Sequence, residues 1–417
     1  MSPIKFIIAI GLSICYQGAA YGQPKPQQQY LQQVGTLDSL YSETLQEYRK
    51  IYVELPENYN PAQNEKYPVV FILDGEVFLP TLTNIHRFYS GGFFPEMILV
   101  GIANESHRMR DFTTSKVTQM YGRPFEQDNG EAVNFHKFIA SELIPYIEDT
   151  YPVTNFRTLI GHSYGGLFTM YSLLYHPAVF SNYIAIDPSL DWDDQHLLKA
   201  AQALIPSQTF KNKSVFMSLS GQLHMQDATI TLENVMQDTT DFTLFSRSNM
   251  AFANLMTTNA QNGLDFNWKF YPKDLHGTVA LPSIRDGLIS VFEWFQMEHT
   301  DEINNFDTPK ERLMEIVKYR QQKLKAHFGY AQPPYPEELL TMSGYMNMDI
   351  GQPEKAKMYL EFALKYYPQS ANAHAAMADY YENTNNTNKA LLMLTKAFDL
   401  SGDSAYKERL DALKKKK

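Results

Sequence analysis

The chain has 417 residues, more than one ordinary domain needs, and 44% are hydrophobic and 13% aromatic, enough for a packed core and too much for a disordered chain. A formal net charge of −10 argues against a nucleic-acid-binding surface, although residues 414–417 are four lysines and read as a solvated end. The single cysteine, Cys15, lies in a leading segment, so its removal leaves no thiol for disulfides, a cysteine nucleophile or thiolate metal ligation.

In chain order, residues 6–14 are a short apolar run behind Lys5, followed by the small residues Ala20 and Gly22. This is the layout of a signal-peptide core, too short for a comfortable bilayer span, with cleavage expected after Gly22 (residues 1–22). A periplasmic or secreted address is expected; lipidation at Cys15 is disfavoured because Ile14 stands where a small residue belongs. No later stretch is long and apolar enough to span a membrane. Residues 23–41, Gln- and Pro-rich at their start, read as a linker.

An exposed strand is expected at 48–55, and residues 67–73 form a continuous apolar run ending in Asp74-Gly75, the pattern of a buried central strand followed by a loop. Residues 97–102 repeat it ahead of a polar loop over 104–112. The spacing of Phe135, Phe138, Ile139, Leu143 and Ile147 predicts a helix over 134–151. Strands are expected at 157–160, 183–186, 215–219 and 266–271, with helices at 167–174, 195–204 and 284–295. Strands alternating with helices call for an α/β fold with a mostly parallel sheet, assigned to residues 42–299.

Beyond residue 300 the strand signals end. A helical connector is expected at 300–335, then tetratricopeptide-like repeats at 336–417: Lys355, Ala356, Leu360 and Ala363 recur 34 positions on as Lys389, Ala390, Leu394 and Ala397. Two repeats and a final helix are few for a free-standing array, so they are expected to dock on residues 309–328 or on the catalytic domain. A protein partner on these repeats and simple packing both remain open.

The chemistry centres on Gly161-His162-Ser163-Tyr164-Gly165, a G-x-S-x-G motif between a strand and an apolar helix. In that setting a strained turn lifts a serine hydroxyl above the sheet edge, and the glycines let strand and helix approach. A serine nucleophile needs a base, and the base an orienting carboxylate. His276 follows the last strand and precedes the last helix, where the base is expected; His162 and His224 are less well placed. The acid is expected after strand 215–219, where Asp227, Glu233, Asp238 and Asp241 occur; Asp238 is favoured and Asp227 comes second. Backbone N–H groups of Tyr164 and Glu76 would form the oxyanion hole. Arg110, Asp111 and Trp192 are candidates for lining the pocket, and ion pairing or packing explains each equally well.

Taken together, the elbow, the 69–75 strand ending in Asp-Gly, Arg108-Met109-Arg110-Asp111-Phe112-Thr113, Asp187-Pro188-Ser189-Leu190 and His276-Gly277-Thr278-Val279 resemble the Putative-esterase family of α/β hydrolases over residues 42–295. That family includes enterobactin and related siderophore esterases, esterase D and feruloyl esterases. The resemblance implies an α/β-hydrolase fold with Ser163 as nucleophile, His276 as base and Asp238 as orienter. It implies a small-molecule or polysaccharide-linked ester as substrate, and no cofactor or metal. Acyl transfer on the same residues, or a scaffold acting through its repeats, are the alternative readings.

Overall fold

The computed structural model describes residues 34–57, 59, 61, 65–120 and 123–415; the expected signal peptide and the start of the expected linker lie outside them. The strands are β1 (Thr36–Ser42), β2 (Glu47–Glu54), β3 (Tyr67–Leu73), β4 (Ile98–Ile102), the short β5 (Gln119–Met120) and β6 (Arg123–Pro124), β7 (Val153–His162), β8 (Asn182–Ile186), β9 (Lys213–Ser220) and β10 (Leu264–Tyr271). Eight of them form one sheet in the order β1-β2-β4-β3-β7-β8-β9-β10, and β5 and β6 pair separately. From β4 to β10 every neighbouring pair is parallel, while β2 runs antiparallel to both β1 and β4. β1 occupies residues expected as linker, pairing through its whole length with β2.

Every residue of β3 is buried, because both faces of the sheet are covered. Successive side chains point to opposite faces, so Tyr67, Val69, Phe71 and Leu73 join a core with Phe135, Phe138, Leu167, Phe168 and Phe180. On the other face lies the helix α8 (Ala280–Val291), so near that a Cβ on Gly287 would meet Ile184 Cγ2 at 2.7 Å.

The remaining helices differ from expectation where local sequence is ambiguous. α1 (Gly75–Tyr89) begins directly at the end of β3, where a loop was expected, despite Pro80 in its interior. A short α2 (Arg108–Phe112) replaces part of the expected 104–112 loop. The expected 134–151 helix is instead α3 (Ala132–Phe138), a π-helical turn (Ile139–Leu143) and α4 (Ile144–Thr150); Pro145, which has no N–H to donate, accounts for the altered pattern. α5 (Tyr164–Tyr175) is buried nearly all round. α6 (Trp192–Ser207) opens with three left-handed residues, Asp193, Asp194 and Gln195. α7 (Leu244–Thr258) completes this part.

After α9 (Thr300–Ile303) and α10 (Lys310–Phe328) come α11 (Glu337–Asp349), α12 (Pro353–Tyr366), α13 (Ala371–Asn383), α14 (Thr387–Ser401) and α15 (Ser404–Lys415). The 34-residue recurrence has a structural cause: Ala356, Leu360, Ala363, Ala390, Leu394 and Ala397 are all fully buried between helices. α10 joins the two regions. Its Leu313 and Val317 share a core with Leu340, Tyr359 and Phe362. Toward the sheet, Phe328 meets Phe156 edge-on at 5.0 Å, His327 stacks on Trp294 at 4.2 Å, and Tyr330 Oη donates to Thr154 Oγ1 at 3.0 Å.

Candidate active site

Ser163 stands between β7 and α5 with φ 59° and ψ −116°, a conformation rare for a residue with a Cβ and worth about 1–3 kcal/mol of strain. The neighbourhood holds it there. Its N–H donates to Ile186 O at 2.9 Å, and its carbonyl accepts from Leu167 N–H at 2.9 Å and Ser189 N–H at 3.1 Å. Gly161 is required by close approach, since a Cβ would lie 2.1 Å from Gly165 O. Gly165 differs from expectation: a Cβ there would make only ordinary contact with Leu73 at 3.5 Å.

His276, in the loop between β10 and α8, brings Nε2 to 3.0 Å from Ser163 Oγ. Its Nδ1 lies 2.7 Å from Asp187 Oδ2. Asp187 is fully buried, and its second oxygen accepts from the Ser220 N–H at 2.8 Å, which fixes the carboxylate between β8 and β9. An ionised carboxylate only accepts, so Nδ1 carries the imidazole hydrogen and Nε2 presents its lone pair to Ser163. Phe245 shields the ring edge-on at 5.3 Å.

The structure therefore corrects the expected acid. Asp238 is half-buried and bonded within its own loop, accepting from the hydroxyls of Thr240 at 2.5 Å and Thr243 at 2.6 Å; these bonds hold its carboxyl at about 2. Asp227 is exposed and bonded to Thr229. Both lie in a long excursion after β9, whereas Asp187 directly follows β8, the strand next to the elbow strand. Its signal in the sequence is a carboxylate directly after the strand at 183–186, one strand earlier than the expected place after β9.

His162 turns from Ser163 and places Nε2 2.8 Å from the backbone carbonyl of His276. A carbonyl only accepts, so Nε2 is the protonated nitrogen. Burial, reinforced by the nearby His276, pushes the His162 imidazole down to about 4, which keeps a second positive charge away from His276. Arg108 braces the same turn: its guanidinium donates to Asp74 through Nε at 3.0 Å and to the His162 carbonyl at 2.9 Å, and lies over the Tyr164 ring at 5.6 Å. Burial outweighs this ion pair and raises Asp74 to about 6. His224 is remote in role, its Nδ1 accepting from the N–H groups of Gln226 and Asp227.

Tyr164 and Glu76 both lie in the first turn of a helix, α5 and α1, where backbone N–H groups point out of the N-terminus. The Glu76 carboxylate is turned to the Asn104 N–H, 3.3 Å away. Arg110 and Asp111 serve the scaffold: Asp111, fully buried, pairs with Arg49 at 2.7 Å and Arg110 at 2.8 Å, and Arg110 also binds Glu47. Trp192 meets Tyr164 edge-on at 5.5 Å and donates to Ser115 O at 3.0 Å. Among the described residues no cluster of three or more potential metal ligands occurs, and no helix is long and apolar enough to cross a membrane.

Comparison with known proteins adds a family model described as "Putative esterase", which matches residues 42–265. The ferri-bacillibactin esterase BesA of Bacillus subtilis (strain 168) is 34% identical over 40% of this chain and 62% of its own length. The apo-salmochelin esterase of Escherichia coli O6:H1 is 27% identical over 38% of this chain and 52% of its own length. The aligned segments thus span between about half and two thirds of these relatives. Among solved structures, an IroE-like serine hydrolase from Shewanella oneidensis is similar with a TM-score of 0.65 and 28% identity, over 80% of this chain and 99% of that one.

Proposed function

The chain belongs to the Putative esterase family, and on that premise we propose that it hydrolyses carboxylic esters of a siderophore through an acyl-enzyme on Ser163. The observation that carries the reading is the hydrogen-bonded series Ser163 Oγ, His276, Asp187 at the end of the parallel sheet. Ser163 Oγ attacks the ester carbonyl carbon while its proton passes to His276 Nε2, and Asp187 stabilises the imidazolium. Charge on the carbonyl oxygen is met by the N–H groups of Tyr164 and Glu76, fixed donors that need no reorganisation. The imidazolium returns the proton to the departing alcohol, and water, deprotonated by the same imidazole, releases the acid and restores Ser163.

Siderophore esters are favoured because relatives from bacteria and fungi carry such names. The 34-residue helical pairs fit the tetratricopeptide pattern, and the leading apolar run fits export from the cytoplasm. The test is a panel of a catechol-siderophore trilactone, a feruloylated sugar and p-nitrophenyl acetate, run with Ser163→Ala. The reading expects the trilactone to give the highest kcat/KM and the variant to be inactive. A preference for the feruloyl ester would move the substrate class. Preferential capture of the acyl group by an added alcohol would favour acyl transfer.

A further inference from the structure

A second hydroxyl stands beside the nucleophile. Ser189, in the loop that follows β8 and Asp187, is 6% exposed and brings Oγ to 3.3 Å from Ser163 Oγ. Its own N–H donates to the Ser163 carbonyl at 3.1 Å, so the two residues are fastened at both backbone and side chain. The hydrogens around Ser163 can be assigned one by one. Nδ1 of His276 faces the accepting Asp187 carboxylate and carries a hydrogen; Nε2 accepts; the single Ser163 hydroxyl hydrogen therefore points to Nε2. Across the remaining contact only Ser189 has a hydrogen to give.

We propose that Ser189 is a further catalytic residue, whose hydroxyl donates a hydrogen bond to Ser163 Oγ and stabilises the negative charge that builds there. The proposal rests on Ser163 being the nucleophile. In the resting enzyme the bond is between neutral groups and long. As the proton moves to His276, Oγ gains alkoxide character and becomes a stronger acceptor, so the bond tightens where it lowers the barrier. Once Oγ is acylated it is a poor acceptor and the bond weakens. When the second tetrahedral intermediate expels Oγ, charge returns to it and the bond strengthens again, so both bond formation to Oγ and bond cleavage from it benefit. No proton leaves Ser189 in this cycle. A carbonyl or methyl in its place could not act this way.

The experiment compares Ser189→Ala, Ser189→Thr and Ser163→Ala in the full chain. It measures kcat and KM for p-nitrophenyl acetate, the rate of Ser163 labelling by a fluorophosphonate, and the melting temperature. The expectation for Ser189→Ala is a roughly ten- to hundredfold fall in both kcat and labelling rate, the range for a hydrogen bond to a charged group, with KM and melting temperature nearly unchanged. Ser189→Thr, which keeps the hydroxyl, should recover most of the labelling rate. The inference is overturned if Ser189→Ala labels at the wild-type rate, or if the threonine variant is as slow as the alanine one while melting normally. Turnover surviving in Ser163→Ala would instead sink the nucleophile assignment, a separate and recognisable failure.

Discussion

At the scale of single residues, the account turns on which carboxylate faces His276. A buried acceptor at 2.7 Å holds the imidazole in the tautomer that can take the serine proton. Replacing Asp187 with Asn would present an amide that can donate to Nδ1 and stabilise the wrong tautomer. Asp187→Asn is expected to lower kcat by about a thousandfold or more, and Asp238→Ala to leave it within about twofold. Steady-state kinetics on p-nitrophenyl acetate decide between them, and the reverse ranking would restore the acid expected from the sequence. The meeting of Ser163 with His276 was legible because a motif and a position relative to the last strand each select one residue. The acid was not, because the carboxylates are many and only tertiary folding tells which one is buried against the ring. His162 and Arg108 were opaque for the same reason: each reaches a backbone carbonyl distant in the chain, which sequence does not distinguish.

At the scale of elements, the elbow ties the end of β7 to the start of α5 so closely that the two glycines of the motif are unequal. The backbone atom a Cβ at 161 would strike cannot swing aside, whereas a methyl at 165 meets side chains at ordinary distance. Gly161→Ala is expected to cost about 3 kcal/mol or more, and Gly165→Ala less than about 1 kcal/mol. Urea denaturation of the two variants tests this, and equal losses would refute the close-approach argument. The buried parallel strands were readable because β3, β4 and β8 are almost wholly apolar and β9 carries Val215, Phe216, Met217 and Leu219 together. α1 escaped notice because Pro80 and its polar residues obscure the period, although Leu79, Leu82 and Thr83 are buried. The break at Ile139–Leu143 was invisible to hydrophobic spacing, which a π turn shifts by only one residue.

For the whole molecule, two buried histidines and the half-buried His162 couple folding to pH. Burial depresses His86 to about 4; it does the same for His136, helped by the stacked His176, and for His162, helped by His276. Below the ordinary imidazole value near 6.5 the unfolded chain takes up protons that the folded one refuses, so stability is lost as pH falls from about 6.5 to 4. Asp74 acts oppositely: raised by burial to about 6, it protonates first in the folded state and returns some stability as pH falls from there toward the ordinary aspartate value. His176 and His327 are also depressed by burial, and Asp191 and Glu65 are raised by it like Asp74, so the depressed imidazoles outnumber the raised carboxyls and a net loss is expected over this window. Urea midpoints should fall steeply between pH 6.5 and 4, and His136→Phe should flatten the curve. A midpoint that holds constant over this window would show that these imidazoles are not refused protons by the fold.

The esterase assignment itself is tested most directly by acid-quenching the enzyme within milliseconds of mixing with a slowly deacylating p-nitrophenyl ester and locating the added mass by peptide mass spectrometry. The account predicts one acyl group on Ser163, absent from Ser163→Ala. An acyl group on another residue, or turnover without any adduct in a burst that releases p-nitrophenol, would contradict it.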